Sequence, residues 1–519
     1  MNSTGRLVPA SRRFTAAALA VAVCLSVPAA ASAVPAPADL AGSARAVADY
    51  PPELATYYTQ TLSWSPCADD LVCAWLTVPL DYSNPAGPTI QIRVNKAKAT
   101  GSAANRQGSM VVNPGGPGAA GLDFTGYVAR TVAPKVNQQF DIVGFDPRGI
   151  GESAPITCLT GRQTTVWLRQ DGSPDTPAEE ARLMSLARGI SNGCLRMSPD
   201  LARNIGTVDT VRDLDVLRAA LGDAKLTWLG YSYGTYIGTV YAEMFPDHVG
   251  RFVLDGAVDP ANDGMQLSRG QSHGFQVAVG RFAEDCAERA SCPYSGGAKG
   301  VIRGINSLLA RLDVRPMPTD SGERVTQAYG LTAIFLSMYS TSFWPSLRQA
   351  LGQAKKGDGT GLLSLSDYSN DRTGPNTYGS NMTSAFYAIG CWDGPATPNA
   401  AGLRAAAASW SRGARVPEMA RSMSWGNAPC SVWFDHSDRT PAPAQSTTTS
   451  PILVVGTSYD PATPYPWAVA LSQQLATATL LTWIGDGHTA YGSGSQCIDS
   501  AIDSYFLTGT PPPAGTVCR

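Results

Sequence analysis

Short apolar runs recur along the chain, separated by stretches whose apolar positions repeat at helical spacing. Cys73 to Val78 and Thr89 to Ala97 read as strands, the second because Ile90, Ile92 and Val94 alternate with polar neighbours, and Asp81 to Pro88 is their turn. Ser109 to Asn113, Phe140 to Phe145, Leu226 into Gly230, Phe252 to Asp255, Pro451 to Gly456 and Thr479 to Ile484 read as further short strands. Val208, Val211, Leu214, Val216, Leu217 and Leu221 form nearly one helical face, which Gly222 stops, and helices are also expected from Thr235 to about Phe245 and from Cys497 to Phe506. Strands alternating with helices predict an α/β protein with a mostly parallel sheet.

The pattern changes after Asp255. From about 260 to 450 there are helical stretches, such as Gln276 to Arg289, Gly304 to Leu312 and Gly330 to Met338, but few buried strands, and 357–381 is rich in Gly, Ser, Asp and Asn. This reads as a large, mainly helical insertion capping the sheet. The expected organisation is a core in two parts, 54–259 and 451–519, with the cap at 260–450 between them.

The N-terminus precedes all of this and has its own pattern. Basic residues run to Arg13, an apolar run follows from Phe14 to Val27, and Ala31-Ser32-Ala33 fits a signal-peptidase site, so 1–33 is expected to be a cleaved signal peptide. The apolar run is short for a bilayer span, and Val23 before Cys24 argues against a lipid anchor. Residues 34–53, rich in Ala, Pro and Val, read as a linker or short pro-segment. No later stretch is long and apolar enough to span a membrane, so a secreted, extracellular protein is expected, without stable membrane insertion.

Composition agrees with that reading. The 519 residues are 44% hydrophobic and 15% charged, enough for a large core. The formal charge is −2, and losing Arg6, Arg12 and Arg13 with the leader makes it more acidic, so nucleic acid is not an expected partner. Ten cysteines remain of the 11 once Cys24 is removed, an even number suited to disulfides in an exported protein. Sequence neighbours suggest Cys67–Cys73, Cys158–Cys194, Cys286–Cys292, Cys391–Cys430 and Cys497–Cys518, although spacing alone does not fix connectivity. A zinc site is disfavoured because C-x-x-C pairs and suitably spaced histidines are missing from the sequence. No metal or organic cofactor is expected, and the protein is expected to act as a monomer.

Gly230-Tyr231-Ser232-Tyr233-Gly234 lies where an apolar strand meets a small-residue helix. In that setting G-x-S-x-G forms a sharp turn that exposes the serine hydroxyl, so Ser232 is the candidate nucleophile. A serine needs a base, and the base needs a group to hold its tautomer. Of the 4 histidines, His248 reads as a solvated loop residue, and His273 and His436 belong to the cap. His488 follows the last strand and is the candidate base. Asp460 follows the preceding strand and is the candidate acid, with Asp486 as its rival in the histidine's own loop. Glycines after Val111-Val112 allow backbone amides to face a substrate, and those of Gly116 and Tyr233 are the candidate oxyanion donors.

Asn113-Pro-Gly-Gly-Pro-Gly118, Asp146-Pro-Arg-Gly-Ile-Gly-Glu-Ser153, Gly230 to Tyr236, Gly456-Thr-Ser-Tyr-Asp-Pro-Ala-Thr-Pro464 and Gly487-His488, taken together, resemble the secreted tripeptidyl aminopeptidases of actinomycetes, in the proline iminopeptidase group of α/β-hydrolases. The likeness covers nearly all of the chain after the linker. It departs at Asn113, where proline iminopeptidases usually have His. The resemblance implies the α/β-hydrolase fold, a Ser232, Asp460, His488 triad, and release of short peptides from free peptide or protein N-termini. A secreted carboxylesterase using the same triad is the alternative. Recognition of a protonated amine requires a carboxylate, and Glu152 and Asp393 are the candidates. Arg148 is expected to brace its loop rather than touch substrate. Tyr339, Phe343 and Trp344 are candidates to line a proline-tolerant pocket, although their spacing alone reads as core.

Overall fold

The computed structural model describes residues 50–394 and 397–519. The expected signal peptide and most of the expected linker lie outside the described residues. Ten strands form one sheet: β1 (Ser65–Pro66), β2 (Val72–Pro79), β3 (Thr89–Ala97), β4 (Gly108–Asn113), β5 (Phe140–Phe145), β6 (Leu226–Tyr231), β7 (Val249–Asp255), β8 (Ile452–Tyr459), β9 (Ala478–Asp486) and β10 (Val517–Cys518). Their spatial order is β1-β2-β3-β5-β4-β6-β7-β8-β9-β10. The β1 to β3 edge is antiparallel and β3 meets β5 antiparallel, while every pairing from β5 through β4 to β10 is parallel.

The continuous apolar strands follow from this topology, because a parallel sheet is covered on both faces. Successive side chains point to opposite faces. Val111, Val143, Trp228, Leu254 and Val454 pack with Leu214, Leu217, Ile237 and Val240 from helices Thr207–Leu221 and Tyr233–Met244. Their neighbours Met110, Val112, Leu229, Val253 and Val455 pack on the other face with Val128, Val132, Ile498, Ile502 and Phe506. Burying each such side chain contributes about 1.5–3 kcal/mol before entropy is counted, so the period-two pattern fixes which face each residue serves.

The strands are crossed by a helical region with two apolar clusters of its own. One is built by helices Gly264–Ala287, Gly297–Val314, Gln327–Met338, Trp344–Lys355 and Thr360–Ser369. The second joins Ile156, Trp167, Leu183, Ile190 and Leu201 to Ala385, Ile389, Leu403 and Trp425. Helices Gly161–Arg169 and Pro177–Met197 thus pack with residues of the later insertion, although they precede the nucleophile turn in sequence. The 357–381 stretch contains a helix and a small ribbon, Arg372–Gly374 with Thr377–Tyr378.

All five neighbouring cysteine pairs are joined, with S–S distances between 1.94 and 2.15 Å. Cys391–Cys430 ties the end of helix Met382–Asp393 to a later segment of the helical region. Cys497–Cys518 ties helix Gln496–Thr508 to edge strand β10. Arg148 is fully buried and grips Asp213 with two bonds of 2.7 Å, while also donating to the carbonyls of Pro79, Leu80 and Asn204. It braces its loop as expected.

His248 differs from expectation. It is not a solvated loop residue: its Nδ1 lies 2.8 Å from Asp215, which also accepts from Tyr58, Tyr241 and Arg218. These partners are distant in sequence, so no local pattern reveals them. His273 and His436 are exposed.

Candidate active site

Strand β6 delivers Ser232 into a backbone conformation of φ 56° and ψ −121°, where a non-glycine residue is strained. The turn is held by three contacts. Ser232 N–H donates to the carbonyl of Asp255 at 2.9 Å, and Thr235 Oγ1 donates to the Ser232 carbonyl at 2.6 Å. Thr235 Oγ1 in turn accepts from Val258 N–H at 2.9 Å. The flanking glycines have steric reasons: a Cβ on Gly230 would lie 2.3 Å from the Gly234 carbonyl, and one on Gly234 would lie 2.9 Å from Asn113 Oδ1. That Asn113 oxygen also accepts from Gly115 N–H at 2.9 Å, so the amide side chain ties the glycine loop to the serine turn.

His488 Nδ1 lies 2.9 Å from each oxygen of Asp460. Asp460 is buried and also accepts from the amides of Ala462, Thr463 and Thr489 and from Thr463 Oγ1. A carboxylate so fixed orients the ring and leaves Nε2 for other work. His488 Nε2 is itself buried and has no hydrogen-bond partner among the described residues. Burial works to lower the His488 pKa, but the charge and hydrogen bond of Asp460, with Asp255 behind, outweigh it and raise the pKa above the ordinary 6.5.

The rival carboxylate is occupied elsewhere. Asp486 makes a two-pronged ion pair with Arg281 of helix Gly264–Ala287, both bonds 2.7 Å, and the guanidinium sits over the Tyr459 ring at 4.3 Å. The helical region also touches the histidine directly. His488 N–H donates to the Tyr339 carbonyl at 2.8 Å, and the Tyr339 ring meets the imidazole edge-on at 5.3 Å.

Ser232 opens into a cleft of about 310 Å³ that Gly116, Pro117, Tyr233, Thr463 and Asp393 also line. Its apolar wall includes Tyr236, Leu267, Phe386, Tyr387, Met423 and Trp467. These aromatics are not the expected ones. Trp344 is in the cap core, Phe343 packs on Tyr368, and Tyr339 covers His488. Helical periodicity identifies apolar faces but not which one borders a void.

The two candidate amine acceptors part company. Glu152 is exposed, pairs with Arg93 at 3.2 Å, and does not line the cleft. Asp393 does, and it accepts Thr207 N–H with each oxygen at 3.1 Å and the Thr207 hydroxyl as well. Thr207 Oγ1 also meets the Tyr233 hydroxyl, so one chain of contacts runs from Asp393 to the residue after Ser232. Burial raises the Asp393 pKa to about 6, opposed by the Thr207 hydrogen bonds. Sequence reasoning missed Thr207, Thr463, Arg281 and Asp255 as site residues. Only Thr463 carried a local signal, three residues after Asp460 in the quoted motif.

A helix-covered, mostly parallel sheet that presents such a turn, with a carboxylate-held histidine in the loop after β9, is an α/β-hydrolase, and the chain is a serine hydrolase. Residues 416–518 match a family model described as TAP-like protein. The chain is 34% identical over 482 residues to serine protease Hip1 of Mycobacterium tuberculosis, covering 88% of this chain and 91% of that protein. It is 36% identical over 476 residues to carboxylesterase B of the same species, covering 88% and 89%. It is 32% identical over 475 residues to the tripeptidyl aminopeptidase of Streptomyces lividans, covering 88% and 86%. The chain belongs to this family of α/β-hydrolases, the serine peptidase group that includes the tripeptidyl aminopeptidases.

Proposed function

We propose that the protein is a secreted serine exopeptidase that releases short peptides, tripeptides in particular, from free N-termini through an acyl-enzyme. Ser232 Oγ attacks the scissile carbonyl while His488 Nε2 takes its proton, and Asp460 holds the imidazolium that forms. The amides of Gly116 and Tyr233 receive the developing oxyanion, a contribution of about 3–4 kcal/mol per donor in comparable sites. His488 then passes the proton to the leaving amine, and a water deacylates Ser232 by the same route in reverse.

The observation that carries the exopeptidase reading is Asp393, a carboxylate in the wall of the cleft that holds Ser232. With a pKa raised only to about 6, it is ionised at neutral pH. A protonated N-terminus satisfies it by a charge-assisted hydrogen bond, whereas an acylated N-terminus brings no positive charge to it. The aromatic walls accommodate flat apolar side chains, proline included. The relative named tripeptidyl aminopeptidase supports this substrate class. Export agrees with the five disulfides, which persist in oxidising compartments. The protein works as a monomer on peptide or protein N-termini and needs no cofactor.

A carboxylesterase is the second reading, favoured by the relative named carboxylesterase B and by a triad chemistry that cleaves esters equally. Hydrolysis of a free-amine tripeptide anilide, its N-acetylated form and a butyrate ester separates the two. The exopeptidase reading predicts fast turnover of the first alone among the anilides. Turnover of the ester without either anilide would establish the second reading instead.

A further inference from the structure

We propose that Asp255 is a positioning residue, whose buried carboxylate holds the His488 loop against the Ser232 turn and faces the imidazole as it gains its proton. The inference rests on the reading of Ser232 as nucleophile and His488 as base. Asp255 ends β7 beside the nucleophile turn, and its two polar ends reach two different parts of the site. Its main-chain carbonyl accepts Ser232 N–H at 2.9 Å. Its carboxylate, 0% exposed, accepts Ala490 N–H on both oxygens at 3.0 Å and Tyr491 N–H on Oδ2 at 2.8 Å. One residue therefore connects the serine backbone to the segment just after His488.

The choice of a carboxylate needs explaining, because a neutral acceptor could hold two amides at lower desolvation cost. Asp255 forms no ion pair with a lysine or arginine among the described residues. The titratable groups that face it are His488, Asp460 and Tyr231. Of these only His488 becomes a cation, and in the catalytic cycle it does so on taking the Ser232 proton. A buried anion that is least compensated at rest and most compensated when the imidazolium forms stabilises the transition state more than the ground state. Burial raises the Asp255 pKa to about 7, opposed by the Tyr491 and Ala490 amides and by His488. Acidification therefore neutralises Asp255 as well as protonating His488.

The test is the pH dependence of kcat/KM for a free-amine tripeptide anilide, with unmodified enzyme and with Asp255→Asn. Protonating His488 removes the base, so turnover falls on the acid side. In Asp255→Asn the acid limb moves to lower pH, because His488 loses an anionic neighbour. Its kcat falls by about ten- to hundredfold, the loss of one hydrogen bond to a charged group, with KM little changed because Asp255 does not line the cleft. Unchanged kcat in a folded Asp255→Asn overturns the inference, as does an acid limb that does not move. Should that variant not fold, Asp255→Glu, which keeps the anion but displaces the loop contacts, is expected to lower kcat more than it raises KM, and an unchanged kcat there overturns the inference instead. Labelling by a fluorophosphonate separates the layers. Failure to label Ser232 overturns both this inference and the site it rests on, whereas labelled Ser232 with either contrary result in the variants overturns this inference alone.

Discussion

Replacing Asp460 with Asn tests which carboxylate orients His488. Asp460 touches His488 Nδ1 with both oxygens at 2.9 Å, and neither oxygen is exposed. An asparagine amide facing Nδ1 would favour the wrong ring tautomer, and the neutral side chain would no longer stabilise the imidazolium. In a Ser-His-Asp system this change costs about 10⁴ in kcat, or about 5.4 kcal/mol. The acid limb should also move: Asp460 is what holds the His488 pKa up, and without it burial drives the pKa down. A lower pKa keeps the base neutral to lower pH, so residual activity persists further into acid. Asp486→Asn is the control. It breaks the pair with Arg281, whose side chains are 38% and 19% exposed, so the change in stability should be about 1 kcal/mol or less and kcat should stay within about threefold. Both variants are assayed on the tripeptide anilide, with folding checked by circular dichroism. Loss of turnover in Asp486→Asn with near-normal turnover in Asp460→Asn would refute the reasoning.

Two further substitutions probe the supports of the site. Arg148→Met leaves Asp213 buried and unpaired, which should destabilise the protein by about 3–5 kcal/mol, read as a lower urea midpoint at unchanged slope. A shift of under about 1 kcal/mol would show that the pair is not fully desolvated. Gly256→Ala places a Cβ 3.0 Å from Thr463 Oγ1 and 3.2 Å from His488 Cε1, on a residue at φ +69°. Displacing the ring should lower kcat by about 10²-fold in a folded protein, and unchanged kcat would mean that the loop moves aside freely.

The sheet and the serine turn were legible because their signals are local. A short strand, Leu226–Tyr231, that runs into G-x-S-x-G needs only strand length and the requirement for glycine at Gly230 and Gly234 to be read. Asp460 and His488 were legible through their positions after successive strands. The Arg281–Asp486 pair was not, because it joins residues 205 positions apart in sequence. Nor was the partner of His248, since nothing near Pro246-Asp247 indicates a buried carboxylate on a helix 33 residues earlier. The cleft aromatics were misjudged for a related reason. Tyr339 caps one helix and Tyr387 lies inside another, and only the packing of those separate helices decides that the first covers the histidine while the second lines the cavity. Asp255 read as the end of a strand, which it is, and its carboxylate's partners lie 235 and 236 positions away.

On the proposed function, the cleft binds a charged N-terminus through Asp393. This is tested most directly by the ratio of kcat/KM for a tripeptide anilide to that for its N-acetyl form, measured in the unmodified enzyme and in Asp393→Asn. One hydrogen bond between charged groups is worth about 1.5–3 kcal/mol, so the ratio should be at least about 10- to 150-fold in the unmodified enzyme. In Asp393→Asn it should collapse towards one, mainly through loss on the free-amine substrate. Equal rates on the two substrates in the unmodified enzyme, or a ratio that survives Asp393→Asn intact, would contradict the account.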